Sequence, residues 1–423
     1  MKYFVILALA ALMSVSCEKT GNGTDNGTSQ EAVQYETLQG KSLKRGVCFN
    51  FAQLPSYDFP LLGDAVSWYY DWSSNVPAAA VEPYLEEYGI EFCPMIWNGN
   101  YNPDNIRTYK RTHPEAEYIL AFNEPNLTDQ ANMTPAQAAQ FWPDVVALAK
   151  ELGMKLISPA MNYGTLAGYS DPWVWMDEFL QQPGVSLDDM DGIAVHCYMN
   201  TSQALENYIN GFKKYGKPIW LTEFCATTGG TVSAVSQMNF MVESINYLES
   251  DDDVFRYAWF IPRGGPLNQI NNELLTSSSP IELTDLGKVF VNMSTQDKSV
   301  YYETGTVIPA EHYSSVDGTV HVRLSTDVSG ILEVFDVKKG NKVGYQINVP
   351  QAGSYMLELR YSTYTDTSLE VSEGGSNVQI SLPDSDNEWT TLSSEISLPA
   401  GKTEIFLEGT EAAGICLNWL RIK

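Results

Sequence analysis

The chain has 423 residues and a formal net charge of -27, long enough for two domains rather than one ordinary core. Hydrophobic residues make up 44% and charged residues 18%, which excludes a disordered chain. So large an excess of acid also excludes binding of nucleic acid or an anionic membrane surface through charge, and leaves a neutral partner.

In chain order, residues 1–17 (MKYFVILALAALMSVSC) carry Lys2, an apolar run and small residues ending at Cys17. This is the pattern of an export signal, and Ser14-Val15-Ser16-Cys17 resembles a bacterial lipobox; the plainer alternative is a secretory signal with a chance Cys. The polar stretch EKTGNGTDNGTSQ after it reads as a flexible tether over 18–40. No later apolar run is long enough to span a bilayer. The expectation is an exported monomer at the cell envelope, on the outer membrane or cell surface, touching the membrane only through a lipid anchor.

Short apolar runs follow at 45–51, 65–72, 90–97, 118–124, 155–162, 192–198, 218–224 and 256–261, with helical patterns between most of them. The clearest helix starts at Thr134-Pro135-Ala136-Gln137, an N-cap, a proline at the first helical position and the partner of a capping box, and ends near Gly153. Eight strand signals alternating with helices predict a (β/α)8 TIM barrel over 41–299. In that fold the C-terminal ends of the strands face the active site. Glu124 ends the fourth run and Glu223 the seventh, so both are expected in one mouth. Two carboxylates facing each other there suit glycosidic bond cleavage, one as proton donor and one as nucleophile or base. The donor has to hold its proton near neutral pH, so its pKa is expected to be raised.

Several blocks then carry a resemblance. FNEPNLTDQANMTPAQAAQFWP, PMIWNG, GIAVHCY, KPIWLTEFC and RYAWF, in this order, resemble glycoside hydrolase family 128, a clan A family of retaining endo-β-1,3-glucanases. The resemblance runs from about Lys44 to Met293 and implies a β-glucan polysaccharide or oligosaccharide as substrate and no cofactor for catalysis. It implies Glu124 as acid/base, Glu223 as nucleophile, Asn123 as a hydrogen-bond partner of the sugar 2-hydroxyl, Tyr198 as the residue orienting the nucleophile and Trp259 as a sugar platform. His196 reads either as a subsite residue or as a structural histidine. Trp72 and Trp97 end the second and third runs, in cleft or core. Trp220, out of phase with Glu223, is expected to point toward the helices as core. A non-catalytic glycan-binding lipoprotein and a hydrolase of another β-glucan linkage remain the competing readings.

From 300 to 423 the pattern changes to short alternating strands and polar turns, an all-β sandwich of jelly-roll type. VIPAEHYS, YQINVPQAGSYMLELRYS and CLNWLRIK resemble a family 6 carbohydrate-binding module. Lys342 stands where the family carries a stacking Trp, which weakens a sugar site by roughly 1–3 kcal/mol on the scale of base stacking. Trp389 and Asn418 remain as sugar ligands or structural residues. Glu311 is left of the family's acidic pair, with Pro309 in place of the other, so a structural Ca2+ stays open. The remaining cysteines, Cys48, Cys93, Cys197, Cys225 and Cys416, show no metal spacing, and a Cys197–Cys225 bridge stays open.

Overall fold

The computed structural model describes residues 38–227, 229–264, 269–328 and 330–423. The signal, Cys17 and all but the end of the 18–40 tether lie outside the described residues. Strands and helices alternate in the first part. They are β1 (Arg45–Cys48), α1 (Pro55–Leu62), β2 (Trp68–Tyr70), α2 (Glu82–Tyr88), β3 (Glu91–Phe92), α3 (Pro103–Thr112), β4 (Tyr118–Leu120) and α4 (Pro135–Leu152). After these come β5 (Lys155–Ile157), α5 (Pro172–Phe179), β6 (Ile193–Cys197), α6 (Ser202–Phe212), β7 (Ile219–Phe224), α7 (Ala234–Ser250), β8 (Val254–Trp259) and α8 (Asp285–Asn292).

The strands are parallel. Six form a sheet in the order β3-β2-β1-β8-β7-β6, and β4 pairs with β5. Parallel bridges Met95↔Leu120 and Ile157↔Gly192 tie the pair to the sheet's two edge strands. Because parallel strands are buried on both faces, they read as unbroken apolar runs rather than alternating ones. Side chains on one face, including Val47, Tyr69, Ile119, Leu156 and Leu221, share a core with helix residues such as Phe59, Trp142, Phe212 and Ile245. Those on the other face, Cys48, Trp68, Tyr70, Tyr118, Ala194, Trp220 and Ala258 among them, form a second cluster with no helix residue in it. Gly46 and Gly192 make room for its rings: a Cβ on Gly46 would sit 2.5 Å from the Trp68 indole, and one on Gly192 2.7 Å from Trp220. The capping box at Thr134 and Gln137 forms as the sequence predicts, and Gly153 closes α4 at φ +61°, a conformation that costs glycine little.

The second part is all β. Its strands are β9 (Tyr302–Glu303), β10 (Val307–Pro309), β11 (Ser315–Asp317), β12 (His321–Leu324), β13 (Leu332–Val337) and β14 (Lys342–Val349). The rest are β15 (Gly353–Ser362), β16 (Thr367–Glu373), β17 (Ser376–Leu382), β18 (Thr390–Leu398), β19 (Gly401–Gly409) and β20 (Ile415–Ile422). They make two sheets, β12-β13-β20-β15-β18 with β10 on β20, and β11-β14-β19-β16-β17 with β9 on β14.

Polar contacts join this part to α7. The Tyr313 hydroxyl donates to Asn246 Oδ1 at 2.7 Å. His321 places Nε2 at 2.7 Å from Glu243 and Nδ1 at 3.1 Å from Asp336. Burial pulls the His321 imidazole down, but these carboxylates outweigh it and hold the pKa above the ordinary value.

Side chains whose roles the sequence left open are placed here. Asn418 is 1% exposed and donates to Ser325 and to the Leu332 carbonyl, so it is a structural residue of β20. Cys197 and Cys225 are free and buried, small core residues rather than a bridge. Glu311 is buried with Oε2 lacking a partner, and burial pushes its pKa up to about 8.

Candidate active site

Glu124, in the segment that follows β4, and Glu223, at the C-terminal end of β7, line one cleft of about 420 Å³ with Trp72, Trp97, Asn123, Asn162, Tyr198 and Phe260. Both glutamates are 5% exposed. One oxygen of each, together with a ring nitrogen of His196, lie within 4.8 Å of one another.

Three neutral side chains donate hydrogen bonds to Glu223, and His196 Nδ1 lies 3.4 Å from its Oε2. Its Oε1 accepts from the Tyr70 hydroxyl at 2.8 Å and the Trp72 indole N–H at 2.7 Å, and its Oε2 from the Tyr198 hydroxyl. Burial first, and the Glu223 charge second, push the Tyr70 and Tyr198 phenols far above their ordinary value, so both stay protonated donors. Glu124 Oε1 accepts from Asn162 Nδ2 at 2.9 Å and from His196 Nδ1 at 2.8 Å. Burial pushes Glu124 up, but the His196 hydrogen bond and charge, with Asn162, outweigh it and leave the net direction downward. The direction at Glu124 is thus opposite to the raised value expected of the acid, because the sequence does not reveal that His196 packs against it.

The local backbone is unusual at these residues. Trp72 has φ +61° and Glu124 φ +44°, in a region that costs non-glycine residues energy and recurs at functional sites. Asn123, the residue before Glu124, donates from Nδ2 to Gln130 at 3.0 Å and keeps a buried Oδ1 without a protein partner.

Most of the sequence-derived site residues meet here: Glu124, Glu223, Asn123, Tyr198, Trp72 and Trp97 all line the cleft. Three readings need correction. Trp259 is fully buried, donates its indole N–H to the Asn272 carbonyl at 2.8 Å and packs edge-on to Phe224. The next residue, Phe260, faces the cleft instead, 5.4 Å from the Tyr198 ring, since side chains reverse direction at each strand position. His196 is no subsite residue: it is fully buried beneath the two carboxylates and does not line the cleft. Trp220 is core, as expected, but points away from the helices, against Trp68 at 5.3 Å and Tyr118 at 4.8 Å. The pairing with β6 explains this. Leu221 pairs with Val195 but Glu223 with His196, so β7 holds one extra residue at Thr222. Such a bulge resets the alternation and puts Trp220 and Glu223 on the same side.

Tyr70, Asn162 and Phe260 were not singled out from the sequence. Asn162 carried the same signal as Glu124, a polar residue closing an apolar strand run; Tyr70 carried none. The Glu124, His196 and Glu223 ligand atoms are close enough to hold a metal. Both carboxylates, however, are already engaged by five protein donors, which compete with a cation.

Comparison with known proteins agrees with this geometry. The family described as glycosyl hydrolase catalytic core matches residues 46–290, and the carbohydrate binding module family 6 matches residues 309–423. A subgroup II family-128 endo-β-1,3-glucanase from Pseudomonas viridiflava is 37% identical with a TM-score of 0.54, over 60% of this chain and 98% of that one. The corresponding enzyme from Sorangium cellulosum is 34% identical with a TM-score of 0.51, over 59% of this chain and 98% of that one. Alkali-sensitive linkage protein 1 of Schizosaccharomyces pombe is 24% identical over 262 residues, 59% of this chain; the chain spans 44% of that protein's length. With the catalytic-core family matched over more than half of its residues and the family 6 carbohydrate-binding module matched only over its C-terminal part, this chain belongs to the glycosyl hydrolase catalytic core family.

Proposed function

We propose that this protein is a retaining glycoside hydrolase that cleaves β-1,3-glucan internally, with Glu124 as acid/base and Glu223 as nucleophile. The observation that carries the reading is the carboxylate pair itself: buried, one following β4 and one at the end of β7, with oxygens within 4.8 Å. Retaining enzymes hold their carboxyl groups about 5–5.5 Å apart, whereas inverting ones leave about 6.5–9.5 Å for a water. The substrate class follows the two relatives above 30% identity, both endo-β-1,3-glucanases.

In the first half-reaction Glu223 attacks the anomeric carbon while Glu124 protonates the leaving oxygen. In the second, Glu124 takes a proton from water, which displaces Glu223 from the sugar. Tyr70, Trp72 and Tyr198 hold the Glu223 carboxylate in one orientation, so little reorganisation precedes attack. Trp97, Trp72 and Phe260 offer apolar faces for sugar rings, and the orphan Asn123 Oδ1 suits a sugar hydroxyl. No step requires a metal or other cofactor.

The strand order, with the bridges that tie β4 to β3 and β5 to β6, supports a closed (β/α)8 barrel. An experimental structure with either edge open would overturn that closure. The lipobox supports anchoring of the exported protein through Cys17. Cys17→Ala is expected to release it from the membrane fraction, and unchanged association would remove the anchor.

A product profile tests the substrate. Laminarin and curdlan should yield a ladder of short β-1,3-oligosaccharides, with cellulose untouched and activity unaltered by EDTA. Release of glucose alone would point to exo action, cleavage of cellulose to a hydrolase of another linkage, and binding without cleavage to a glycan-binding protein.

A further inference from the structure

His196 is fully buried, and its place is hard to explain by packing alone. Nδ1 lies 2.8 Å from Glu124 Oε1 and 3.4 Å from Glu223 Oε2, while Nε2 has no protein partner among the described residues. An imidazole placed for shape would not need to aim one nitrogen between two acids and leave the other orphaned. We propose that His196 is a positioning residue that stores the catalytic proton of the empty site and yields it to Glu124 when sugar fills the cleft. The proposal rests on the assignment of Glu124 as acid.

The physical argument is one of electrostatics and count. Two carboxyl groups with oxygens within 4.8 Å repel if both are charged. A cation between them relieves this at the expense of one unpartnered N–H. Burial lowers the His196 pKa, but Glu223 and Glu124 outweigh it and the net direction is upward. The direction for Glu124 is downward. The other titratable groups packed around the site do not compete for this proton in the neutral range. Tyr70, Tyr198, Cys48 and Cys225 are all pushed upward, chiefly by burial.

Imidazolium with carboxylate, and imidazole with carboxylic acid, hold the same protons and the same net charge. The two forms interconvert without exchange with solvent. Sugar entering the cleft removes water and disfavours the separated charges. The proton then leaves Nδ1 for the Glu124 carboxyl group, which passes it to the glycosidic oxygen as the C–O bond breaks and the Glu223 ester forms. Water later supplies a proton to Glu124 as its oxygen bonds to the anomeric carbon and the ester bond breaks. That proton returns to Nδ1, so the cycle closes on one water consumed.

A proton with two places to sit leaves the pair at a higher apparent pKa than either place alone would give. The basic limb of the kcat/KM profile on β-1,3-glucan reports that loss. His196→Asn keeps a donor but removes the storage place, so the limb should move to lower pH by about one unit or more. A merely structural His196 would lower the rate and leave the limb where it stands, which would overturn the proposal. His196→Gln provides a second variant, with thermal melting as the check on folding. A measurement independent of activity is 15N NMR of the histidine rings in the wild-type protein. The chain has four histidines, and the signal absent from His196→Asn identifies the right one. Both nitrogens of His196 are expected to be protonated at pH 7 in the sugar-free protein. A neutral ring there sinks the proposal even if Glu124 and Glu223 prove catalytic. An imidazolium in a protein that cleaves no glycan would instead fault the functional assignment alone.

Discussion

Glu223→Ala should abolish hydrolysis of β-1,3-glucan, and added azide should restore turnover of an activated substrate with an α-glycosyl azide as product. Removing the nucleophile opens a space on the face of the sugar that it occupied, so a small anion attacks from there and inverts the centre once. Glu124→Ala behaves differently. It removes the proton donor and the later base, a loss of about 10²–10⁴-fold on natural glucan. An aryl glucoside oligomer with a good leaving group needs little protonation, so this variant still glycosylates Glu223 and then stalls. Azide needs no general base and releases a β-glycosyl azide. Exchange of the two products between the variants would reverse the assignments, and undiminished activity in both would remove the pair as the catalytic machinery. Glu223→Ala also leaves the Tyr70, Trp72 and Tyr198 donors without their acceptor, so thermal melting has to accompany the kinetics, with Glu223→Gln as the milder variant.

Arg45→Ala is expected to produce the largest loss of stability, about 3–5 kcal/mol, because it strands a buried carboxylate. Arg45, on β1, is 1% exposed and Glu249, on α7, 3%. Its guanidinium reaches the Glu249 carboxylate at 3.1 Å, the Tyr257 hydroxyl of β8 at 3.0 Å, and the carbonyls of Phe290 at 2.9 Å and Ser294 at 2.8 Å around the end of α8. One side chain thus ties two strands to two helices. The double variant Arg45→Met/Glu249→Leu removes both charges and should recover much of the loss, since well-packed apolar groups often replace a buried ion pair without penalty. Urea unfolding followed by tryptophan fluorescence measures both. A loss below about 1 kcal/mol in Arg45→Ala would show that water or a neighbouring cation compensates Glu249.

The sequence alone was enough to place Glu124 and Glu223 in one cleft. A polar residue that closes an apolar run of a parallel strand has few places to go except the strand end, where backbone pairing stops and solvent begins. The same local logic located the α4 capping box and the change to short alternating strands after residue 300, since caps and alternation depend on neighbours three or two positions away. What the sequence could not determine depends on pairing and burial between distant segments. The extra residue at Thr222 exists only in register with β6, so the side of the strand on which Trp220 lies was decided by a partner strand rather than by its own run. The phase at the end of β8 likewise put Phe260, not Trp259, in the cleft. The downward direction at Glu124 comes from His196, 72 residues away along the chain but 2.8 Å away in space. Electrostatic coupling follows distance and burial, which only the tertiary structure sets.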